Sequence, residues 1–267
     1  WRRMLFEDRL ADGFSVFSTG GLATSPEMTQ LGCLAYVLPL IDILTHLRGR
    51  QTQPNGFRFH ILGDSDWKDL LAHAVLEKHL RTVFGLDVEI TCDSSNLFKT
   101  VALARHTFSV CEGQMFMLSL RSDRLQTHHM DSGSQQVLFY QAVNGALTPH
   151  GIRPLSPRKD PIYVGGKMTP LAYLYAFLHQ LYLFKVFEEQ CREHAERIYP
   201  LYRAGDHERF EHALEPLLGS LHSGMTTSRI PRYAQHVSES LRLVERMDLD
   251  EVERLVRRLP EQKEFRT

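Results

Sequence analysis

Cysteine, charge of one sign, long apolar runs and internal repeats are all scarce in this chain. Four of its 267 residues are Cys, at positions 33, 92, 111 and 191, with no CxxC spacing. Each lies in or beside an apolar stretch, which excludes a disulfide-stapled scaffold and reads as buried thiols in a reducing cytoplasm. Lys and Arg number 31 against 32 Asp and Glu, a net charge of -1. That balance excludes a polycation that grips nucleic acid through bulk charge, so any phosphate contact must come from a local patch. No secretory pattern follows Trp1-Arg2-Arg3-Met4, which leads into Glu7, Asp8 and Arg9. Two apolar stretches approach membrane length: Leu31 to Leu47, broken by Pro39 and Asp42, and Leu171 to Phe187, which carries His179, Gln180 and Lys185. Both fall short of the ~20 uninterrupted apolar residues of a spanning helix, so both are expected as buried helices, with no membrane partner.

What is present is an ordinary globular composition, 43% hydrophobic and 24% charged, enough to bury a core. Phe14 to Phe17 predicts a short strand ending at Gly20-Gly21, and Ser25-Pro26-Glu27 opens a helix to about residue 47. Phe57 to Leu62 predicts a strand stopped by Gly63. A helix follows Asp64 to Asp66 and runs through Leu80, and Leu86 to Cys92 predicts a third strand ending on Asp93-Ser94-Ser95. Alternation of this kind is the pattern of a parallel sheet with helical crossovers. Beyond residue 100, Met115 to Leu120 and Gln136 to Tyr140 are expected as strands and 151–167 as a loop. Helices are expected over Pro170 to Tyr199, His207 to Leu221 and Ala234 to Leu259. The domain reading is an α/β part over 1–168 and a helical part over 169–267.

Ligands of parallel α/β folds sit at the carboxyl ends of the strands. Three such ends are legible: Gly20-Gly21, Gly63-Asp64 and Cys92-Asp93-Ser94-Ser95. A Gly-Gly turn lets backbone N–H groups approach a ligand closely. An acid at a strand end suits a nucleophile or general base, and Asp-Ser-Ser there also suits a helix cap.

The order of these segments carries more. Ser18-Thr19-Gly20-Gly21-Leu22-Ala23, Tyr36-Val37-Leu38-Pro39, Phe59-His60-Ile61-Leu62-Gly63, Asp69-Leu70-Leu71 and Gly85-Leu86-Asp87 with a second acid resemble the second half of the tRNA-guanine transglycosylase family. Ala104-Arg105-His106, Glu112-Gly113, His179-Gln180-Leu181 and Arg203-Ala204-Gly205-Asp206 extend the likeness over roughly 10 to 215. The resemblance implies the C-terminal part of a TIM (β/α)8-type barrel followed by a helical region. It also implies base exchange on DNA or tRNA: a carboxylate attacks C1′, guanine leaves, and a 7-deazaguanine takes its place. Asp93 would be the nucleophile, with Asp87 the runner-up, expected in the barrel wall or a salt bridge. Gly20 and Gly21 would offer N–H groups to the base, with Leu22 and Gly63 beside it.

Two departures from the family pattern matter. Its zinc cluster, Cys-x-Cys-x-x-Cys with a distant His, is missing its thiolates, since Arg158 to Met168 contains no cysteine although His179 stands where the His would. No cofactor is expected. A rearranged metal set of His179, Cys191 and His194 is the alternative to a buried thiol and a surface imidazole. The family's other pocket wall lies ahead of the Gly-Gly turn, where this chain has about ten residues, so Trp1 is read as a cut edge. The rest of the barrel is expected from a preceding region or a partner chain, a second copy included. Loss of the cluster and Asp-Ser-Ser at the nucleophile resemble the branch that inserts 7-deazaguanines into DNA, where a duplex target must extrude its base.

Between Lys99 and Lys167 stand eight Lys/Arg against four Asp/Glu. Arg105, Arg121, Arg124, Arg158 and Lys159 are candidate phosphate contacts, beside His128, His129, Arg153 and Lys167; a solvated loop surface is the alternative. A catalytically silent relative that binds nucleic acid or a catalytic partner remains the competing function. An unrelated α/β barrel enzyme with a metal at its strand-end acid is a third.

Overall fold

The computed structural model describes residues 16–19, 37–48, 56–62, 67–93, 106–111, 114–119, 132–221 and 229–246. The fold is mixed α/β and mostly helical, built around a parallel sheet of β1 (Val16–Thr19), β2 (Gly56–Leu62) and β3 (Asp87–Asp93) in the order β1-β2-β3. Helix α1 (Val37–Arg48) lies between β1 and β2 in the chain, and α2 (Trp67–Phe84) between β2 and β3. Period-two patterning makes these strands: Phe17, Phe57, Phe59, Ile61, Val88 and Ile90 are buried, while Ser18, Arg58, Leu62 and Asp87, at the alternate positions, are exposed. Phe17 and Phe57 meet edge to face at 5.7 Å between ring centroids. Helix α2 runs one turn past the expected end and stops at Gly85, whose φ of 65° suits a left-handed cap. The expected start of α1 near residue 26 lies outside the described residues.

The chain divides into two compact units. The first comprises Trp1–Asp93, Cys191–Leu218 and Thr226–Thr267. It holds the parallel sheet, the last part of α4 (Pro170–Arg203), most of α5 (His207–Leu221) and α6 (Arg229–Arg246). Helix α2 packs on β3, and α6 packs on both α1 and α2. Buried Tyr233, Val237, Ser240, Leu241 and Val244 recur at helical spacing along α6. Helix α4 ends in paired turns, Asp206 N–H to Leu201 O at 3.1 Å and Gly205 N–H to Tyr202 O at 3.0 Å, with Gly205 at φ 78°. Asp206 then caps α5, accepting from Arg209 N–H at 3.3 Å.

The second unit comprises Ser94–Gln190 and Gly219–Met225. It contains an antiparallel hairpin of β4 (His106–Cys111) and β5 (Gln114–Ser119), on which α3 (Ser132–Leu147) packs. Strand β4 was not predicted. The strand expected over Gln136 to Tyr140 is instead part of α3. Phe139, Val143, Ala146 and Leu147 are buried at steps of three and four, so the apolar run is one face of a helix. The expected loop 151–167 holds a small hairpin, β6 (Tyr163–Val164) with β7 (Lys167–Met168). Its turn residues Gly165 and Gly166 have φ of 57° and 75°, the pair of positive values a two-residue hairpin turn requires. Thr169 then accepts Ala172 N–H at its hydroxyl at 3.3 Å, capping α4 ahead of Pro170.

Candidate functional site

Strands β2 and β3 end level with each other, and β1 ends one residue short of them. Thr19 pairs in register with Ile61, Ile61 with Cys92, and Leu62 with Asp93. Asp93 is the last residue of β3; its side chain lies outside the described residues, as do Gly20, Gly21, Leu22 and Gly63. Asp87 stands at the opposite end of the same strand, about 20 Å away at 3.3 Å per residue. It is exposed and forms an ion pair with Arg81 Nη2 at 3.2 Å, the second of the two placements expected of it, barrel wall or salt bridge.

Opposite the buried sheet face lies a mixed one, where Val16 and Leu62 are exposed beside polar residues. Ser18 pairs in register with His60, and His60 with Thr91. His60 Nδ1 is hydrogen-bonded to Thr91 Oγ1 at 2.8 Å. One level further from the strand ends, Arg58 Nε meets Glu89 Oε2 at 2.6 Å. Both side chains of that pair are substantially exposed, so its worth to stability is about 0.2–1 kcal/mol. Its effect here is to neutralise the charge on this face.

Beneath the other face, α2 carries Asp69, His73 and Glu77 at steps of four, all buried. The Tyr233 hydroxyl of α6 donates to Asp69 Oδ1. His73 is held down at about 4 by burial, which outweighs the opposing pull of Asp69. Glu77 Oε1 accepts the main-chain N–H of Ile90 at 2.7 Å, and its Oε2 meets Arg192 Nε of α4 at 3.4 Å. Further along α2, Lys78 donates to Glu196 and His79 Nδ1 bonds Tyr199 Oη at 3.0 Å. Burial and then Arg203 hold His79 at about 4. Tyr202 packs edge-on against His79, His207 and Phe210. These polar groups were missed in the sequence. The usable signal was an acid, a histidine and an acid at every fourth position of α2, beside its apolar residues Leu70, Ala74 and Val75.

In the second unit, Asp160 organises the loop 151–167. Arg153 grips it bidentately at 2.9 Å from Nη1 and Nη2, and Ser156 N–H donates to it at 2.9 Å. Arg153 and the Ser156 N–H hold the Asp160 carboxyl at about 2. Asn144 clamps Leu155 in both directions, at 2.9 and 2.7 Å, and the Tyr175 hydroxyl donates to Arg153 O. Arg153 is thereby committed to Asp160, whereas Arg158, Lys159 and Lys167 are exposed. Arg105, Arg121, Arg124, His128 and His129 fall outside the residues whose side chains are described.

His179, Cys191 and His194 do not converge. His179 and Cys191 are twelve residues apart on α4, about 18 Å along the helix and far too distant for one ion. His194 uses both ring nitrogens, Nε2 on Ala213 O at 2.8 Å and Nδ1 toward Arg197 at 2.7 Å. His179 is buried, which holds it at about 4. Among the described residues no group of three His, Cys, Asp or Glu is placed to hold a metal. No helix among the described residues is long and apolar enough to cross a membrane. No family model, no curated protein and no solved structure matches the chain.

Proposed function

We propose that this chain carries the nucleophile side of a base-exchange glycosyltransferase, with Asp93 as nucleophile, acting on guanine in DNA or tRNA. The observation that carries the reading is the sheet edge. Among the described residues three parallel strands follow one another in sequential order, an order that consecutive strands of a (β/α)8 barrel share. In the chain Gly20-Gly21 directly follow β1, Gly63 directly follows β2, and Asp93 is the last residue of β3. Asp87 is at the amino end and paired with Arg81, which favours Asp93.

In the proposed reaction a carboxylate oxygen of Asp93 bonds C1′ as the C1′–N9 bond breaks, and guanine leaves with the electron pair and takes up a proton. The incoming 7-deazaguanine attacks C1′ through N9, gives up its proton and frees the carboxylate. A carboxylate suits the oxocarbenium-like transition state because its charge stabilises the developing cation before the bond forms. The resemblance assigns Gly20, Gly21, Leu22 and Gly63 to the base, and Arg158 and Lys159, exposed in the second unit, are offered as phosphate contacts. No cofactor takes part in these steps.

The test is exchange of labelled guanine into tRNA and into duplex DNA, in parallel, with the full-length protein. Asp93→Asn lowers kcat about a thousandfold or more while the melting curve is retained. Loss of exchange in Asp87→Asn with retention in Asp93→Asn would reverse the assignment. Nucleic-acid binding with no exchange in the unaltered protein would establish the catalytically silent reading instead.

A further inference from the structure

We propose that Ser18, His60 and Thr91 form a hydrogen-bonding row that receives the polar edge of a purine-type base, with His60 as the base-contacting residue. The proposal rests on the base-exchange reading above and assigns part of its substrate site.

Strands of a parallel α/β sheet are normally apolar on both faces, because both are covered. Here one face follows that rule through Phe17, Phe57, Phe59, Ile61, Val88 and Ile90. The other breaks it on all three strands at one level, since Ser18, His60 and Thr91 are consecutive partners in register. Polar side chains at one level of all three strands, where a covered sheet ordinarily places apolar ones, are a mark of function. The row is also organised: Thr91 Oγ1 holds His60 Nδ1 at 2.8 Å, which fixes the plane of the ring.

Depth and charge select the ligand. Thr91 stands two residues before Asp93, about 6.6 Å along the strand. That is the depth a bicyclic base spans when its sugar is held at the strand ends. At the next level down, Arg58 is paired with Glu89 at 2.6 Å, so its charge is already matched among the described residues. The row itself offers hydroxyl and imidazole groups, which match an uncharged heterocycle with amide and carbonyl groups on its edge.

The experiment is steady-state exchange by the full-length protein with free guanine and, separately, hypoxanthine as the incoming base. His60→Ala raises KM for guanine about tenfold with kcat changed less than about threefold, the signature of lost ground-state binding. It also narrows the preference for guanine over hypoxanthine. Thr91→Val shifts KM in the same direction and Thr91→Ser restores it, which keeps the test decisive if His60→Ala fails to fold. Exchange with unchanged KM and unchanged base preference in both His60→Ala and Thr91→Val overturns the row while leaving the base-exchange reading in place. Absence of exchange in the unaltered protein overturns both.

Discussion

Glu77 of α2 accepts the main-chain N–H of Ile90 in β3 at 2.7 Å. One buried carboxylate thus ties a helix to the strand that ends in Asp93, and Arg192 of α4 meets its second oxygen at 3.4 Å. Glu77→Leu removes both partners and leaves the Ile90 N–H without its acceptor, at a cost of about 1–3 kcal/mol. Glu77→Gln keeps an acceptor and is milder. Urea denaturation of the two variants measures the difference, and equal loss in both would show that the charge, not the acceptor, is what matters.

Tyr233→Phe takes the hydroxyl from Asp69, a carboxylate buried between α2 and α6. The expected loss is about 1–3 kcal/mol, read as a lower melting temperature. An unchanged melting temperature would mean that Asp69 is satisfied without Tyr233.

Stability should fall as the solution is acidified through the histidine range. Burial holds His73, His79, His179 and His236 at about 4, below the ordinary 6.5. Between those values the unfolded chain binds more protons than the folded one, so stability rises with pH there. The contribution is complete above about pH 6.5 and is lost as pH falls toward 4. For His73, which is fully buried, the linkage is on the order of 3 kcal/mol. Denaturation midpoints at several pH values between 7.5 and 4.5 check this, and a flat profile would contradict it.

Charge and architecture separate within the loop 151–167. Arg158→Ala and Lys159→Ala leave the melting temperature unchanged, and each lowers the salt slope of duplex DNA binding by about 0.9. Asp160→Asn does the reverse: it frees Arg153 and weakens the acceptor of Ser156 N–H, so the melting temperature falls. A salt slope unmoved by either basic substitution would remove these residues from the nucleic-acid contact.

Strands β2 and β3 were legible because alternation is local: Phe57, Phe59 and Ile61 announce their own burial. Helix α4 was legible from the apolar stretch Leu171 to Phe187, far longer than a strand. Gln136 to Tyr140 was misread because its four-residue apolar run fits either period, and only Val143 and Leu147 further on make it a helix face. Asp69 with Tyr233, and Glu77 with Arg192, join residues more than a hundred positions apart. No local pattern specifies such pairs. For the candidate site, the strand ends were legible from their glycines and acids, whereas the Ser18, His60 and Thr91 row needed the register between strands. The metal alternative on α4 failed on simple helix length.

The central claim is that Asp93 becomes covalently bonded to a sugar. Full-length protein incubated with guanine-containing tRNA or duplex DNA and a 7-deazaguanine, quenched in denaturant and digested, puts that bond within reach of mass spectrometry. The account predicts a nucleotide-bearing peptide modified at Asp93 and absent from Asp93→Asn. Base exchange that proceeds with the adduct on another residue, or unimpaired in Asp93→Asn, would contradict it.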